Sequence, residues 1–462
     1  MSKLLIMFLC FLVLLSFPLK SAGKVFPDEF DILTELEEFE IEEEDDDEFE
    51  LFDFPSWNDP SPNKIVVNVD SFGAVGDGVA DDTQAFVNAW KQACPIQKSV
   101  MLVPKSKTYL VKATTFNGPC APKFVVQIEG TIVAPSDPET WDPTSPRTWL
   151  VFNNLTRFVI QGLGVVEGSG AKWWANSCKK NKSNPCISAP TALTIDSSSA
   201  VKMKGLTIQN GQQMNVIVAR SSVVRLMGVK VSAPASSPNT DGIHLTSSTN
   251  VVLQNCKIGT GDDCISIVNG CSNIKMKNIY CGPGHGISIG SLGNNNSTAK
   301  VEGIVLDNGY LNNTNNGLRL KTYQGGTGYA KAIRFQNVHM ENVANPVIID
   351  QFYCDSKTKC PIMPSAVQIS QIMYRNITGT SPSKNVMKFA CSDTIPCTNI
   401  ILSNISLKSI DGPAETYCNS ASGITRGSIQ PSADCLLSSS DKAAAKIILQ
   451  ENEAEHVIHT EL

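Results

Sequence analysis

Four short stretches decide the fold: Asp241-Gly-Ile-His-Leu245, Asp263-Cys-Ile-Ser-Ile267, His285-Gly-Ile-Ser-Ile289 and Asn316-Gly-Leu-Arg-Leu320. Each begins with a polar residue and a small one, and then alternates apolar, polar and apolar residues, the period of a strand with one buried face. Their first residues lie 22, 22 and 31 positions apart, a spacing typical of solenoid repeats. We therefore predict that each stretch forms one rung of a parallel coil, with neighbouring rungs about 4.8 Å apart.

Stacking these rungs brings three carboxylates, an imidazole and two cations into one patch. The members of the patch are Asp241, Asp262, Asp263, His285, Arg319 and Lys321. Three rung steps make the patch roughly 15 Å tall. Carboxylates crowded together cannot all ionise, so at least one pKa is raised and that group can serve as a general acid.

A second repeat, apolar-x-apolar-x-(Gly/Asn)-apolar, extends the coil over most of the chain. Clear copies are Val201-Lys-Met-Lys-Gly-Leu206, Val224-Arg-Leu-Met-Gly-Val229 and Ile333-Arg-Phe-Gln-Asn-Val338. Gly and Asn tolerate left-handed backbone angles and therefore suit the corner between two strands. A βαβ array would need a helical pattern after residue 95, and a leucine-rich repeat would need a fixed Leu/Asn ladder; both are absent. The predicted fold class is all-β, a parallel β-helix of about ten coils.

A short helix precedes the strands. Its apolar positions are Ala85, Phe86, Ala89, Trp90 and Ala93. They fall on one side of a helix. Because the open end of a solenoid needs a cover, we predict a short N-terminal capping helix.

The N-terminal 60 residues differ from the rest. Residues 1–22 have the charged start, apolar run and small residues of a secretory signal peptide, and the run is too short to span a membrane.

Residues 1–60 hold 17 acidic and three basic residues, which leaves 27 acidic and 35 basic residues, a net charge of +8, in the remainder. The acidic segment at 23–63 is interpreted as a disordered, solvated tail. Alternatively, it is a removable segment that covers a cationic cleft and mimics a polyanionic ligand. The β-helix is expected over 64–437, followed by a tail at 438–462.

Export favours disulfide bonds. Without Cys10 in the signal peptide, 14 cysteines remain. The expected pairs are Cys354–Cys360, Cys391–Cys397, Cys418–Cys435 and Cys264–Cys281. Seven glycosylation sequons are typical of a secreted glycoprotein; they lie at Asn154, Asn181, Asn295, Asn296, Asn312, Asn376 and Asn404.

Four motifs occur in order along the chain: Ser237-Pro-Asn-Thr-Asp-Gly-Ile-His244, Gly261-Asp-Asp-Cys264, Gly282-Pro-Gly-His-Gly286 and Arg319-Leu-Lys321. They resemble the signature motifs of the polygalacturonases, and the similarity covers about residues 64–437. The resemblance implies a right-handed parallel β-helix. It also implies inverting hydrolysis of α-1,4 links between galacturonic acids in pectin.

The resemblance further implies the catalytic roles. Asp262 would be the general acid, and Asp241 and Asp263 would activate the water molecule. His285 would keep the proton of the acid in place by a hydrogen bond.

The same resemblance implies the binding residues. Arg319 and Lys321 would bind the uronate carboxylate, with arginine able to bind it bidentately. Asn239 and Tyr353 are further candidates for substrate contacts. The expected partner is pectin or polygalacturonate. We expect no cofactor, metal, nucleic acid or membrane, and a monomer.

The sequence thus predicts a secreted polygalacturonase of the plant cell wall. Endo action is favoured by the motif neighbourhoods, and exo action stays open because it depends on loops at the ends of the cleft. One alternative is a pectate lyase, in which the carboxylates would hold Ca²⁺. Another is a non-catalytic pectin-binding wall protein, which would release no reducing ends.

Overall fold

The structure is a computed structural model that describes residues 65–142, 147–356 and 358–437. The expected signal peptide, the acidic segment and the C-terminal tail lie outside the described residues. The strands are, in chain order, β1 (Ile65–Asn68), β2 (Asp77–Asp81), β3 (Ser99–Val103), β4 (Thr108–Leu110), β5 (Thr114–Asn117), β6 (Phe124–Ile128), β7 (Thr131–Val133), β8 (Thr148–Asn153), β9 (Thr156–Gln161), β10 (Val165–Glu167), β11 (Thr191–Asp196), β12 (Ser199–Lys204), β13 (Thr207–Gln209), β14 (Val216–Ala219), β15 (Ser222–Met227), β16 (Lys230–Ser232), β17 (Ile243–Thr246), β18 (Thr249–Gln254), β19 (Lys257–Gly259), β20 (Ile265–Ile267), β21 (Cys271–Cys281), β22 (Ile287–Leu292), β23 (Thr298–Asn312), β24 (Asn316–Tyr323), β25 (Thr327–Glu341), β26 (Asn345–Tyr353), β27 (Gln368–Ser381), β28 (Asn385–Ala390), β29 (Cys397–Ser409), β30 (Glu415–Asn419) and β31 (Ala421–Gln430). The helices are α1 (Thr83–Ala93) and α2 (Ala171–Ala175), with 3₁₀ turns at Val69–Phe72, Pro138–Thr140, Asn294–Asn296 and Asp434–Leu436.

The strands form a right-handed parallel β-helix, as predicted. One sheet has eleven strands, in the spatial order β5, β8, β11, β14, β17, β20, β22, β24, β26, β28 and β30, and we refer to it as the site sheet. The other 20 strands join into a second sheet that forms the remaining faces of the coil. Eleven rungs in the site sheet agree with the expectation of about ten coils.

The register within the site sheet is the predicted one. Ile243 pairs with Ile265, Ile265 with Ile287, and Ile287 with Leu318. These four residues are the first apolar positions of the four opening stretches. Since each lies two residues after the first polar position, the polar positions are stacked in the same order.

The repeat residues fill the interior and turn the corners. The apolar positions Val201, Met203 and Leu206 are completely buried, as are their counterparts in the other copies. The corner residues have left-handed backbone angles, for example φ of 78° at Gly205 and 55° at Asn337. Asparagine side chains at successive corners also donate hydrogen bonds to each other, as Asn278 does to Asn255 at 2.9 Å. The predicted corner role of Gly and Asn is therefore confirmed.

Helix α1 covers the N-terminal end of the coil, as predicted. Its buried residues are the five apolar positions read from the sequence, Ala85, Phe86, Ala89, Trp90 and Ala93. The ring of Trp90 lies within 6.0 Å of the rings of Phe116, Phe124, Phe152 and Phe158. Aromatic packing thus seals this end of the core.

Six disulfide bonds are present in the described residues. The four expected pairs are all formed. Two further pairs join Cys94 to Cys120 and Cys178 to Cys186. Cys256 and Cys271 are buried and unpaired, and burial raises the pKa of each thiol to about 11. The six bonds fit an extracellular protein.

Among residues 65–142, 147–356 and 358–437, no helix combines the length and apolar character needed to cross a membrane.

Candidate active site

The site sheet brings all eight candidate residues to one cavity of about 470 Å³. Its lining includes Asn239, Asp241, Asp262, Asp263, His285, Arg319, Lys321 and Tyr353. The three aspartates and His285 lie just before the strands β17, β20 and β22, where the chain enters the sheet. Backbone hydrogen bonds fix this entry: Gly242 N–H donates to Asp263 at 2.8 Å, and His285 N–H donates to Asp262 at 2.7 Å.

Asp262 contacts His285 and Asn239. Nδ1 of His285 lies 3.0 Å from Oδ1 of Asp262. Nδ2 of Asn239 donates to Oδ2 at 3.3 Å. Asn239 has a left-handed backbone (φ 55°), and its side chain reaches Asp262 of the next rung. The sequence-predicted contact between His285 and the expected acid is thus present in the geometry.

Asp263 contacts both cations directly. Nη2 of Arg319 lies 2.7 Å from Oδ1, and Nζ of Lys321 lies 2.8 Å from Oδ2. Ser288 Oγ also donates to Oδ1 at 2.8 Å. The Asp263 side chain is only 2% exposed, so both cations are held by this carboxylate in the free protein. The sequence placed these cations beside the column without anticipating that contact.

Asp241 is held by residues of its own and the next rung. Ser266 Oγ donates to Oδ2 of Asp241 at 2.7 Å and lies 2.7 Å from Nδ1 of His244. His244 Nδ1 is 3.8 Å from the same carboxylate oxygen. Asp241 is nearly enclosed, with 11% of its side chain exposed.

The carboxylates are placed in different electrostatic environments. Burial raises the pKa of Asp241, the nearby charges of Asp262 and Asp263 raise it further, and His244 opposes the shift. The pKa of Asp262 is lowered. Burial alone would raise it, but the hydrogen bond and the charge of His285, together with the charge of Lys321, outweigh the effect of burial. The hydrogen bond to Asp262 in turn raises the pKa of His285, against a smaller effect of burial. These directions push the proton affinities of Asp241 and Asp262 apart.

Tyr353 lines the cavity beside Lys321. Its ring lies 5.3 Å from Nζ of Lys321 and 5.1 Å from the ring of Tyr323, edge to face. A cation beside an aromatic face is stabilised by the ring quadrupole. Burial raises the pKa of the Tyr353 hydroxyl, which therefore stays protonated at neutral pH.

Sequence reasoning missed three members of a second polar column, namely His244, Ser266 and Ser288. They pair in that order across β17, β20 and β22, and Ser288 pairs with the predicted Arg319 on β24. They are the polar residues between two apolar ones in the four opening stretches. The alternation itself was the signal that could have found them, because side chains at i and i+2 share one face of a strand and those at i+1 the other.

Asp262, Asp263 and His285 could also be considered as metal ligands. One possible ligand atom from each lies within 4.8 Å of the others. Asp263, however, is already in contact with Arg319 and Lys321. A divalent cation at this position would face two fixed positive charges, so the residues present do not fit a resident metal.

A parallel β-helix whose cavity gathers three carboxylates and two cations has the groups needed to cleave an acidic polysaccharide by acid–base chemistry. The model of the glycosyl hydrolases family 28 matches residues 94–429. A polygalacturonase of Persea americana is 48% identical over 361 residues, covering 78% of this chain and 77% of that protein. A probable polygalacturonase of Arabidopsis thaliana is 46% identical over 369 residues, covering 79% and 83%. Among solved structures, endo-xylogalacturonan hydrolase from Aspergillus tubingensis has the same fold, with a TM-score of 0.68 at 23% identity over 79% of this chain and 99% of that one. The chain belongs to glycosyl hydrolases family 28 and is therefore a glycoside hydrolase.

Proposed function

We propose that this chain is a polygalacturonase that hydrolyses α-1,4 links between galacturonic acids in pectin or polygalacturonate. The observation that carries the proposal is the assembly of three carboxylates and two cations around one cavity. Hydrolysis of a glycosidic bond needs a proton donor for the leaving oxygen and a base for water. Arginine and lysine beside such a pair select a sugar that carries a carboxylate. The names of the relatives support the same substrate.

In the proposed mechanism, Asp262 protonates the leaving oxygen, and Asp241 and Asp263 activate the water, with inversion of configuration. The uronate carboxylate binds Arg319 and Lys321, which share their charge between Asp263 and the substrate. Asn239 and Tyr353 complete the contacts.

Asp262 must gain its proton in the complex, because its pKa is lowered in the free protein. A bound uronate adds a negative charge and neutralises part of the Lys321 charge that lowers this pKa. Both effects raise the pKa of Asp262 on binding. We expect the alkaline limb of the kcat profile, which reports the complex, at a higher pH than that of kcat/KM, which reports the free enzyme.

One observation favours a different acid. Asp241 is the carboxyl group whose pKa is raised in the free protein. The two assignments differ in how a substrate with an activated leaving group responds, because such a group needs no proton from the enzyme. We expect Asp262→Asn to cost at least about 10²-fold in kcat on polygalacturonate but little on an aryl galacturonide. If Asp241→Asn shows that pattern instead, Asp241 is the acid.

The mode of cleavage is proposed to be endo. Sizing the early products from polygalacturonic acid tests it: mixed oligomers are expected, and release of monomer alone would mean exo action. Release of reducing ends also excludes a non-catalytic binding protein. A pectate lyase would give unsaturated products that absorb in the ultraviolet and would stop with chelator; the pairing of Asp263 with two cations disfavours it.

The proposed location is the plant cell wall, after secretion, and the proposed state is a monomer. The six disulfides support an oxidising compartment. Gel filtration with light scattering of the mature chain tests the monomer.

A further inference from the structure

Two loops from distant rungs meet at the catalytic cavity. The first loop lies between β10 and β11 and is closed by Cys178–Cys186. The second follows β26 and is closed by Cys354–Cys360. In the site sheet β26 lies six steps from β11, or about 29 Å along the coil. The strands between them include β17, β20 and β22, which carry the catalytic column, so the two loops approach each other along the cleft.

The loops are joined by an ion pair between Lys179 and Asp355. Nζ of Lys179 lies 2.7 Å from Oδ1 and 2.9 Å from Oδ2 of Asp355. Each residue directly follows a half-cystine, so a disulfide fixes its backbone. Both side chains remain about half exposed, at 47% and 50%. A pair this exposed is weak and exchanges readily with other charges.

Lys179 also stands between two cavities. It lines the catalytic cavity together with Asp355, Asp241 and Asp262. It lines a second cavity of about 810 Å³ as well, whose walls include Trp141, Trp173, Trp174 and Arg147. Pro238 and Asn239 also border both cavities, so the two lie next to each other on the surface. A polymer that extends from the catalytic column into the second cavity passes Lys179.

We propose that Lys179 is a uronate-binding residue of the cleft and that Asp355 occupies it in the free protein as an internal mimic of the uronate carboxylate. We call the Lys179–Asp355 ion pair the latch. The incoming polymer exchanges its own carboxylate for that of Asp355. The exchange opens the latch. It also binds the polysaccharide at Lys179, on the N-terminal side of the column formed by Asp241, Asp263 and His285. This inference rests on the proposed polygalacturonase function.

The mechanism predicts opposite effects for the two partners. Asp355→Asn removes the competitor and leaves Lys179 available, so KM for polygalacturonate falls about two- to fivefold, the range of an exposed ion pair. Lys179→Met removes a charged contact to the substrate, so KM rises about tenfold. In both variants kcat stays within about twofold, because neither residue touches the reacting bond. The double variant behaves like Lys179→Met, since Asp355 acts only through Lys179.

Specificity gives a readout that a merely structural role would not move. Lys179→Met is expected to lose preference for de-esterified polygalacturonate over fully methyl-esterified pectin, because an ester offers no charge to the lysine. Lys179→Arg, which keeps the charge, is expected to retain the preference. The preference is measured as kcat/KM for polygalacturonate divided by kcat/KM for methyl-esterified pectin. If this ratio is the same in the wild type and in Lys179→Met, the proposal is overturned.

The control is an ion pair of the same kind on the second sheet. Lys331 lies 3.3 Å from Glu302, and both side chains are 42% exposed. Lys331→Met and Glu302→Gln should leave KM unchanged. If Asp355→Asn and Lys179→Met change KM no more than these controls while the wild type degrades polygalacturonate, the latch is wrong and the proposed function stands. If the wild type itself releases no reducing ends from polygalacturonate, the proposed function fails.

Discussion

Adjacent carboxylates in the site are expected to respond differently to the same substitution. Asp263 neutralises Arg319 and Lys321, whose side chains are only 13% and 9% exposed. Asp263→Asn keeps the shape but leaves two largely buried positive charges without a counter-charge. Breaking a buried ion pair by removing one partner costs about 3–5 kcal/mol. Asp262→Asn instead removes the partner of His285, which can become neutral, so its cost is about 1 kcal/mol.

The difference is large enough to measure by thermal unfolding. For a chain of this size, 1 kcal/mol corresponds to roughly 1–2 °C in Tm. We therefore expect Asp263→Asn to lower Tm by about 3–10 °C and Asp262→Asn by about 1–2 °C. Both variants should lose at least about 10²-fold in activity, so stability is the quantity that separates them.

Ligand binding provides a second test of the same reasoning. In Asp263→Asn the two cations are free to pair with a uronate, so trigalacturonate should bind at least as tightly as to wild type and restore Tm. A neutral galactose oligomer, which has no carboxylate, should restore nothing. Equal Tm values for the two variants, or loss of trigalacturonate binding in Asp263→Asn, would refute the pairing as the source of stability.

Two further predictions concern the pH dependence of stability and the second polar column. The pKa of His285 is raised above 6.5 and that of Asp262 is lowered below 3.8. The pair therefore stabilises the fold fully between these values, and its contribution is lost as pH rises through the folded pKa of the imidazole or falls through that of the carboxyl. The Tm difference between wild type and His285→Gln should be largest from pH 3.8 to 6.5; a difference that does not vary with pH contradicts this. Ser266→Ala and Ser288→Ala each remove a hydrogen bond to a carboxylate that we propose to be catalytic, Asp241 and Asp263 respectively, so kcat should fall about tenfold with little change in KM. Ser272→Ala, whose hydroxyl bonds Thr249 on the second sheet, serves as the control, and an equal loss there would show a general folding effect.

Local sequence patterns predicted the strands of the site sheet, their register and the corners between strands, because each of these depends on residues close together in the sequence. The alternation in the four opening stretches predicted the strands and their register, because a slip of one residue would exchange the buried and exposed faces. Gly and Asn at the corners predicted left-handed turns for a similar steric reason. The disulfide between Cys354 and Cys360 could also be predicted, because the two cysteines are only six positions apart in the sequence.

Contacts between segments that are far apart in the sequence could not be predicted from its patterns. Lys179 and Asp355 are 176 residues apart, and no periodicity relates an insertion loop to a loop six rungs away. Pairing of Cys94 with Cys120 likewise depends on how the capping helix sits on the first coil. The ion pair between Asp263 and Lys321 depends on side-chain rotamers, and a pattern of residue types does not specify rotamers.

The unequal steps between rungs explain how such a site tolerates variation in chain length. The third step is 31 residues where the first two are 22, yet Ser288 and Arg319 remain paired across the longer step. Part of the extra length lies outside the site sheet, in the turn Asn294–Asn296 and in β23, which has 15 residues where β21 has 11. The rest lengthens β22, which has six residues where β20 has three, beyond the paired positions Ile287 to Ile289. Insertions between rungs therefore lengthen loops and strand ends while the column of Asp241, Asp263 and His285 keeps its spacing. Since loops such as that of Lys179 can then change without disturbing the carboxylates, this fold allows substrate selection to vary independently of the chemistry.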